Sequence, residues 1–174
     1  MRARKTAIRR AVVDTSPLVS ALVLEYVRRK PPSWRSPILS KSRLASYLES
    51  NEARQRQFIQ YFDAIQSILT TSHVIGEIQG LQSKLDGRYR QEFWLGGISF
   101  LRRKKLDERL VGLLQIASTG ETLESLCSLG PTDTGLIDLA RREGCILLTD
   151  DTDVWHRAKQ LQVDCKLIRA ELQI

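Results

Sequence analysis

Acidic residues stand at four separate places where an apolar run gives out. Asp14 closes "AVVDT", Glu77 lies in "SHVIGEI", Asp133 follows the proline of "PTDTGLIDLARREG", and "CILLTDDTDVWHRA" sets Asp150, Asp151 and Asp153 within four residues. Like charges so close repel one another, and each resists losing water. Either solvent screens them or a cation sits among them. Carboxylates, with waters completing the shell, are the donors that hold Mg²⁺ or Mn²⁺. Beside a polyanion such an ion activates water, orients a phosphate and stabilises the leaving oxygen. Other chemistries find little support. No Ser or Cys is set beside a plausible base. There is no Walker loop and no dinucleotide fingerprint, and the pair Gly96-Gly97 lacks the further glycines or lysine that a phosphate loop needs. His73, His156 and the three cysteines, Cys127, Cys145 and Cys165, form no zinc spacing.

Each acid also has a plainer role available. Asp133 suits a helix N-terminus, Glu77 a solvated helix face, Asp150 a turn. Asp14 is the hardest to treat so, because it interrupts an apolar stretch. Four acids at equivalent places are harder still.

The elements around them supply that equivalence. "AVVDT" and "SILTT" (Ser67 to Thr71) read as short buried strands, as do "CILLT" and "CKLIRA". Helices fall between them. Ser16 is expected to cap the first, with Pro17 in its opening turn, Ser72 to cap "HVIGEIQGLQSKL", and Thr132 to start the Pro131 helix that Gly144 ends. "RLASYLESNEARQRQFIQYFDAI" reads as one helix, and residues 88 to about 120 as one or two more. Gly96-Gly97 marks a break or a close approach. Strands alternating with helices call for a parallel sheet covered on both faces. In such a sheet, sites lie beyond the carboxyl ends of the strands, where Asp14, Asp150, Asp151 and Asp153 fall. One domain over 1–174 is expected, with an extended loop and helix at about 30–66.

The order "VVDTS", "SHVIGEI", "TDTGLIDLAR", "ILLTDDTDV" resembles the PIN domain family, which includes the VapC-type toxins of toxin–antitoxin pairs. The resemblance runs from about Ile8 to Ile174. It implies an α/β, three-layer PIN-like fold with a parallel sheet of four to five strands flanked by helices. It also implies a metal-dependent endoribonuclease. Carried over, Asp14, Glu77, Asp133 and Asp151 are the catalytic acids and ligands of Mg²⁺ (or Mn²⁺), with Asp153 as auxiliary acid. Thr149, Ser16 and Asp150 support them, Asp150 ranking below Asp151. RNA is the implied substrate. An antitoxin protein and a homodimer are the implied partners. The stretch between Asp14 and Glu77 is longer than in compact toxins. It would serve as an RNA clip, a dimer surface or a plain helical hairpin. A non-catalytic RNA-binding or scaffold domain of the same fold is the alternative. A small-molecule phosphatase is disfavoured, because Ser16 stands where a D-x-D pair needs its second acid.

The charges outside the site fit a polymer. Lys and Arg number 27 against 20 Asp and Glu, a net +7 that favours a polyanion. Arg102, Arg103, Lys104 and Lys105 are the leading candidates for RNA phosphate contact. Basic clusters also occur at Arg2 to Arg10, Arg28 to Lys30 and Arg141-Arg142, and Trp34 beside Arg35 could stack on a base. Hydrophobic residues at 42% are enough for a core, with aromatics few at 6%, so aliphatic side chains should fill it. Unpaired cysteines suggest a reducing, cytoplasmic setting. No run is long enough to span a membrane. "MRARKTAIRR" with the apolar stretch after it looks like a signal peptide, but Asp14 and Pro17 argue for a strand and helix.

Overall fold

Aliphatic runs too short for helices build the sheet. In the computed structural model, which describes residues 8–30, 42–83, 85, 87–117 and 120–173, the strands are β1 (Ile8–Val13), β2 (Ile65–Thr71), β3 (Asp107–Arg109), β4 (Ile146–Thr149) and β5 (Cys165–Leu167). All neighbours pair in parallel, in the order β3-β2-β1-β4-β5. The α/β class and the strand count agree with the sequence reading. β3 is the strand that the pattern did not reveal. Its "DER" carries no apolar signal because it forms an exposed edge.

Helices cover the sheet. They are α1 (Thr15–Val27), α2 (Arg43–Ser50), α3 (Glu52–Ala64), α4 (Ser72–Gln82), α5 (Gly87–Arg103), α6 (Leu113–Ile116), α7 (Gly120–Leu129), α8 (Pro131–Glu143), α9 (Thr152–Gln160) and α10 (Ile168–Leu172). α1 is apolar nearly all round and buried from Pro17 to Val27, as a helix enclosed on every side must be. It packs on α5, α2 and α4, while α8 lies against β1, β2 and β4. Ala11, Val12, Ile68, Leu69, Leu147 and Leu148 are fully buried between them. α2 and α3 contribute Leu44, Leu48, Phe58 and Phe62 to the same core, so the described part of the lengthened segment packs onto the fold. Trp34, Arg35 and the basic residues before Ile8 lie outside the described residues.

Several local expectations are corrected. Asn51 splits the long expected helix, its side chain accepting from the Arg54 N–H to start α3. Of the two expectations for Gly96-Gly97, the close approach holds and the break in α5 does not. Gly97 faces α1, where an added Cβ would meet Leu22 Cδ2 at 3.4 Å. "CKLIRA" leaves the sheet at Leu167 and turns helical. The caps move by one or two residues. Asp14, not Ser16, caps α1; Thr71, not Ser72, caps α4. Gly130, not Thr132, begins α8, at φ 88° and ψ 176°, a conformation open almost only to glycine. Gly144 ends α8 in the left-handed region. Among the described residues no helix is long and apolar enough to cross a membrane, and all three cysteines are free.

Candidate functional site

Strand register aligns the site. Val13 pairs with Leu148, and Thr149 with Leu167. The next residue in β1's path, Asp14, therefore stands level with Thr149. Beyond these pairs both strands turn into helices, with Asp151 at the start of α9 and Arg169 in the first turn of α10. The Asp14 amide donates to the Leu148 carbonyl at 3.0 Å, so the last rung of the ladder fixes the acid's backbone. All of these lie at the carboxyl edge, where the strands feed their helices.

Asp14 is buried. Its Oδ2 accepts from the Thr149 hydroxyl at 2.7 Å and its Oδ1 from the Thr15 amide. The same Thr149 oxygen accepts from the Asp151 amide at 3.0 Å, so one hydroxyl ties the ends of β1 and β4 together. Thr15 donates through its own hydroxyl to Glu77 Oε2 at 2.6 Å, drawing the exposed Glu77 from α4 toward Asp14. Asp133, half-buried in the first turn of α8, receives no hydrogen bond from the described residues. Burial, helped by the charges of Glu77 and Asp151, pushes the Asp14 carboxyl up to about 6 against the bonds from Thr149 and Thr15. Burial, then Asp14, Asp151 and Glu77, pushes Asp133 up to about 7. The charges of Asp14, Glu77, Asp133 and Asp151, from four elements, thus bear on one another.

The cleft holds about 360 Å³ and is lined by Asp14, Ser16, Asp133, Asp150, Asp151 and Arg169, among others. Arg169 was not singled out from the sequence. Its Nε donates to Asp150 Oδ1 at 2.8 Å and its Nη2 to Asp150 Oδ2 at 3.0 Å, a two-pronged pair, and Ser16 Oγ adds a 3.3 Å bond to Oδ2. Asp150 is therefore a buried, fully engaged carboxylate. Asp151 is the N-cap of α9, its Oδ1 accepting from the amides of Asp153 and Val154 at 2.7 and 3.2 Å. Asp153 is exposed on the first turn of that helix and does not line the cleft. The three neighbouring aspartates are thus accommodated by an arginine, a helix start and solvent, with no metal needed for their proximity.

The basic run is also corrected. Lys104 is buried, its ammonium donating to the carbonyls of Phe62 at 2.7 Å and Ile65 at 3.3 Å. Arg103 pairs with the buried Glu25 at 2.9 Å, beside Arg28 and Arg29. Ile65 starts β2, whereas the acids gather beyond its other end, about 20 Å away at the rise of a strand. Lys104 is a structural cation. Arg102, Arg103 and Lys105 sit at the wrong edge to touch a phosphate held by the acids. Arg141 and Arg142 pair with Glu121 and Asp138.

Among the described residues no three His, Cys, Asp or Glu side chains already close into a ligand set. The donor chemistry nevertheless fits a hard divalent cation. It offers oxygen donors only, and among the described residues Asp133 has no donor partner. Two carboxyls are raised by burial and mutual repulsion, the condition that a cation relieves. No protein-family model matches the chain, and no curated protein matches it.

Proposed function

We propose that the protein is a metal-dependent endoribonuclease of the PIN-domain type, with Mg²⁺ or Mn²⁺ held by Asp14, Glu77, Asp133 and Asp151. The observation that carries the reading is the convergence of these acids: Asp14, Asp133 and Asp151 line one cleft, and Thr15 beside Asp14 bonds Glu77. When bound, the ion supplies the positive charge that activates water and stabilises the leaving oxygen of a phosphodiester. The chain's own residues do the rest. Thr149 and the Thr15 amide fix both oxygens of Asp14, Thr15 Oγ1 orients Glu77, and the start of α9 holds Asp151. The net +7 of the chain favours a polymeric anion over a small phosphate ester.

A second reading, an RNA-binding domain without catalysis, has one observation in its favour. Asp150 and Asp151 each have protein partners that account for them without a metal. Incubating the protein with mixed RNAs and Mg²⁺ or Mn²⁺ separates the two. Cutting should require the metal, stop with EDTA and fall at least a hundredfold in Asp151→Asn. That variant keeps Oδ1 and hence the helix cap, so lost cutting would not reflect lost folding. RNA left intact by wild type and variant alike would sink the nuclease reading and leave the binding domain.

A further inference from the structure

Resting on the reading of the acids as a nucleic-acid site, we propose that Arg169 binds a backbone phosphate of the strand lying in the cleft, with Asp150 as the residue that positions it. Among the described residues the cleft lining brings four carboxylates, Asp14, Asp133, Asp150 and Asp151, against one guanidinium, that of Arg169. Such a surface repels a polyanion unless cations stand where the phosphates come. Arg169 supplies such a cation, lining the same cleft as Asp14, Asp133 and Asp151.

Its attachment also suits the task. Nε and Nη2 bond to Asp150 along one edge of the guanidinium. Among the described residues nothing bonds Nη1, whose protons point away from that edge by the planar geometry of the group. Asp150 is buried and is itself bonded by Ser16, whereas the Arg169 side chain is 58% exposed. A buried carboxylate thus grips an exposed cation, holding it oriented while leaving its outer donors to solvent. A phosphate oxygen is the acceptor that such a fork matches. Were Arg169 only the counter-ion of Asp150, its removal together with the Asp150 charge would leave RNA binding unchanged.

That is the test. Single-stranded RNA with a fluorescent end label is titrated against wild type, Arg169→Gln, Arg169→Lys and the double variant Asp150→Asn/Arg169→Gln. Anisotropy is read across a salt series, with Ca²⁺ in place of Mg²⁺ to hold off cutting. The double variant keeps a neutral amide pair in place of the ion pair, so it guards against simple misfolding. Loss of one phosphate contact should weaken binding about tenfold. It should also flatten the dependence of log affinity on log salt by about 0.7. Arg169→Lys, which keeps the charge without the fork, should retain the slope. With Mg²⁺, cutting by Arg169→Gln should lose more at low RNA than at saturation. An unchanged slope and affinity in the double variant would overturn the inference even if wild type cuts RNA. Conversely, wild type that binds with an Arg169-dependent slope but never cuts would sustain it while the nuclease reading falls. Wild type that neither binds nor cuts overturns both.

Discussion

Replacing Asp14 by Asn should make the metal-free protein more stable at pH 8. The Asp14 carboxyl moves from 3.8 to about 6 on folding, chiefly because it is buried. A rise of that size corresponds to about 3 kcal/mol between the charged and neutral forms. The sign follows from proton linkage. Between pH 4 and pH 6 the folded state holds the proton and the unfolded chain does not, so this group's stabilisation is complete below about 4 and is lost as pH rises through 6. At pH 8 wild type carries the whole penalty. The Asp14→Asn side chain carries none, accepts the Thr15 amide through its oxygen and remains a good helix cap. The amide nitrogen facing Thr149 donates to its Oγ1 instead of accepting from it, so the Thr149 hydroxyl proton loses its acceptor, which offsets about 1 kcal/mol. The expected net gain is about 1–2 kcal/mol at pH 8, or about 3–6 °C in Tm for a chain of this length, shrinking toward zero at pH 4. Denaturation followed by circular dichroism in EDTA from pH 4 to pH 8 measures it. Added Mg²⁺ at tenfold its Kd should raise wild type by about 1.4 kcal/mol and the variant by less. A variant less stable than wild type at pH 8 would refute the reasoning, since Asp14 would then be held by its partners more strongly than it is penalised by burial.

Two other substitutions test the frame. Lys104→Ala leaves the buried carbonyls of Phe62 and Ile65 without their donor; it should cost about 2 kcal/mol, lowering Tm by about 4–8 °C, with RNA affinity of the folded protein unchanged. Weakened RNA binding at full stability would restore Lys104 as a phosphate contact. Gly130→Ala meets nothing within 4 Å but must hold φ near +88°, so it should cost about 1–3 kcal/mol through the backbone alone. Gly96→Ala is its control, also meeting nothing within 4 Å but inside a helix, and should gain about 0.5–1 kcal/mol. Equal effects at the two glycines would mean that the start of α8 is not strained.

The acids were legible because they interrupt apolar runs, and the sheet because those runs are short and spaced by helices. What escaped has physical causes. Strand β3 lies at an exposed edge, where no burial demands apolar residues. In "VVDTSP" and "LTTSH" every residue near the boundary is a competent cap, so propensity alone does not choose Asp14 over Ser16 or Thr71 over Ser72. The basic run "RRKK" was visible as charge, but which sheet edge it occupies depends on tertiary path, and the path puts Lys104 under the start of β2. Arg169 was hidden because "CKLIRA" reads as one β-rich run. Only the turn at Leu167 brings its arginine back to Asp150. A cation four residues after a strand's first cysteine has no signature of its own.

The division of labour among the aspartates bears on why a charged cleft is kept in this fold. Asp150 grips Arg169, and Asp151 starts α9. Neither would be expected to unbalance the protein. Asp133 differs. It lies in the first turn of α8, where the helix dipole welcomes an acid, yet it is raised to about 7 by burial and by Asp14, Asp151 and Glu77. Burial, with the neighbouring charges added to it, outweighs the dipole, and no donor among the described residues relieves it. An uncharged side chain there would let the helix start from Gly130 and Pro131 just as well. Folding alone therefore gives no reason for a charge at position 133, nor for one as deeply buried as Asp14. The proposed cation would supply one, since it would offset both the burial and the neighbouring negative charges. On the proposed reading, the well-packed sheet and α1 would hold these carboxyls in place for a cation.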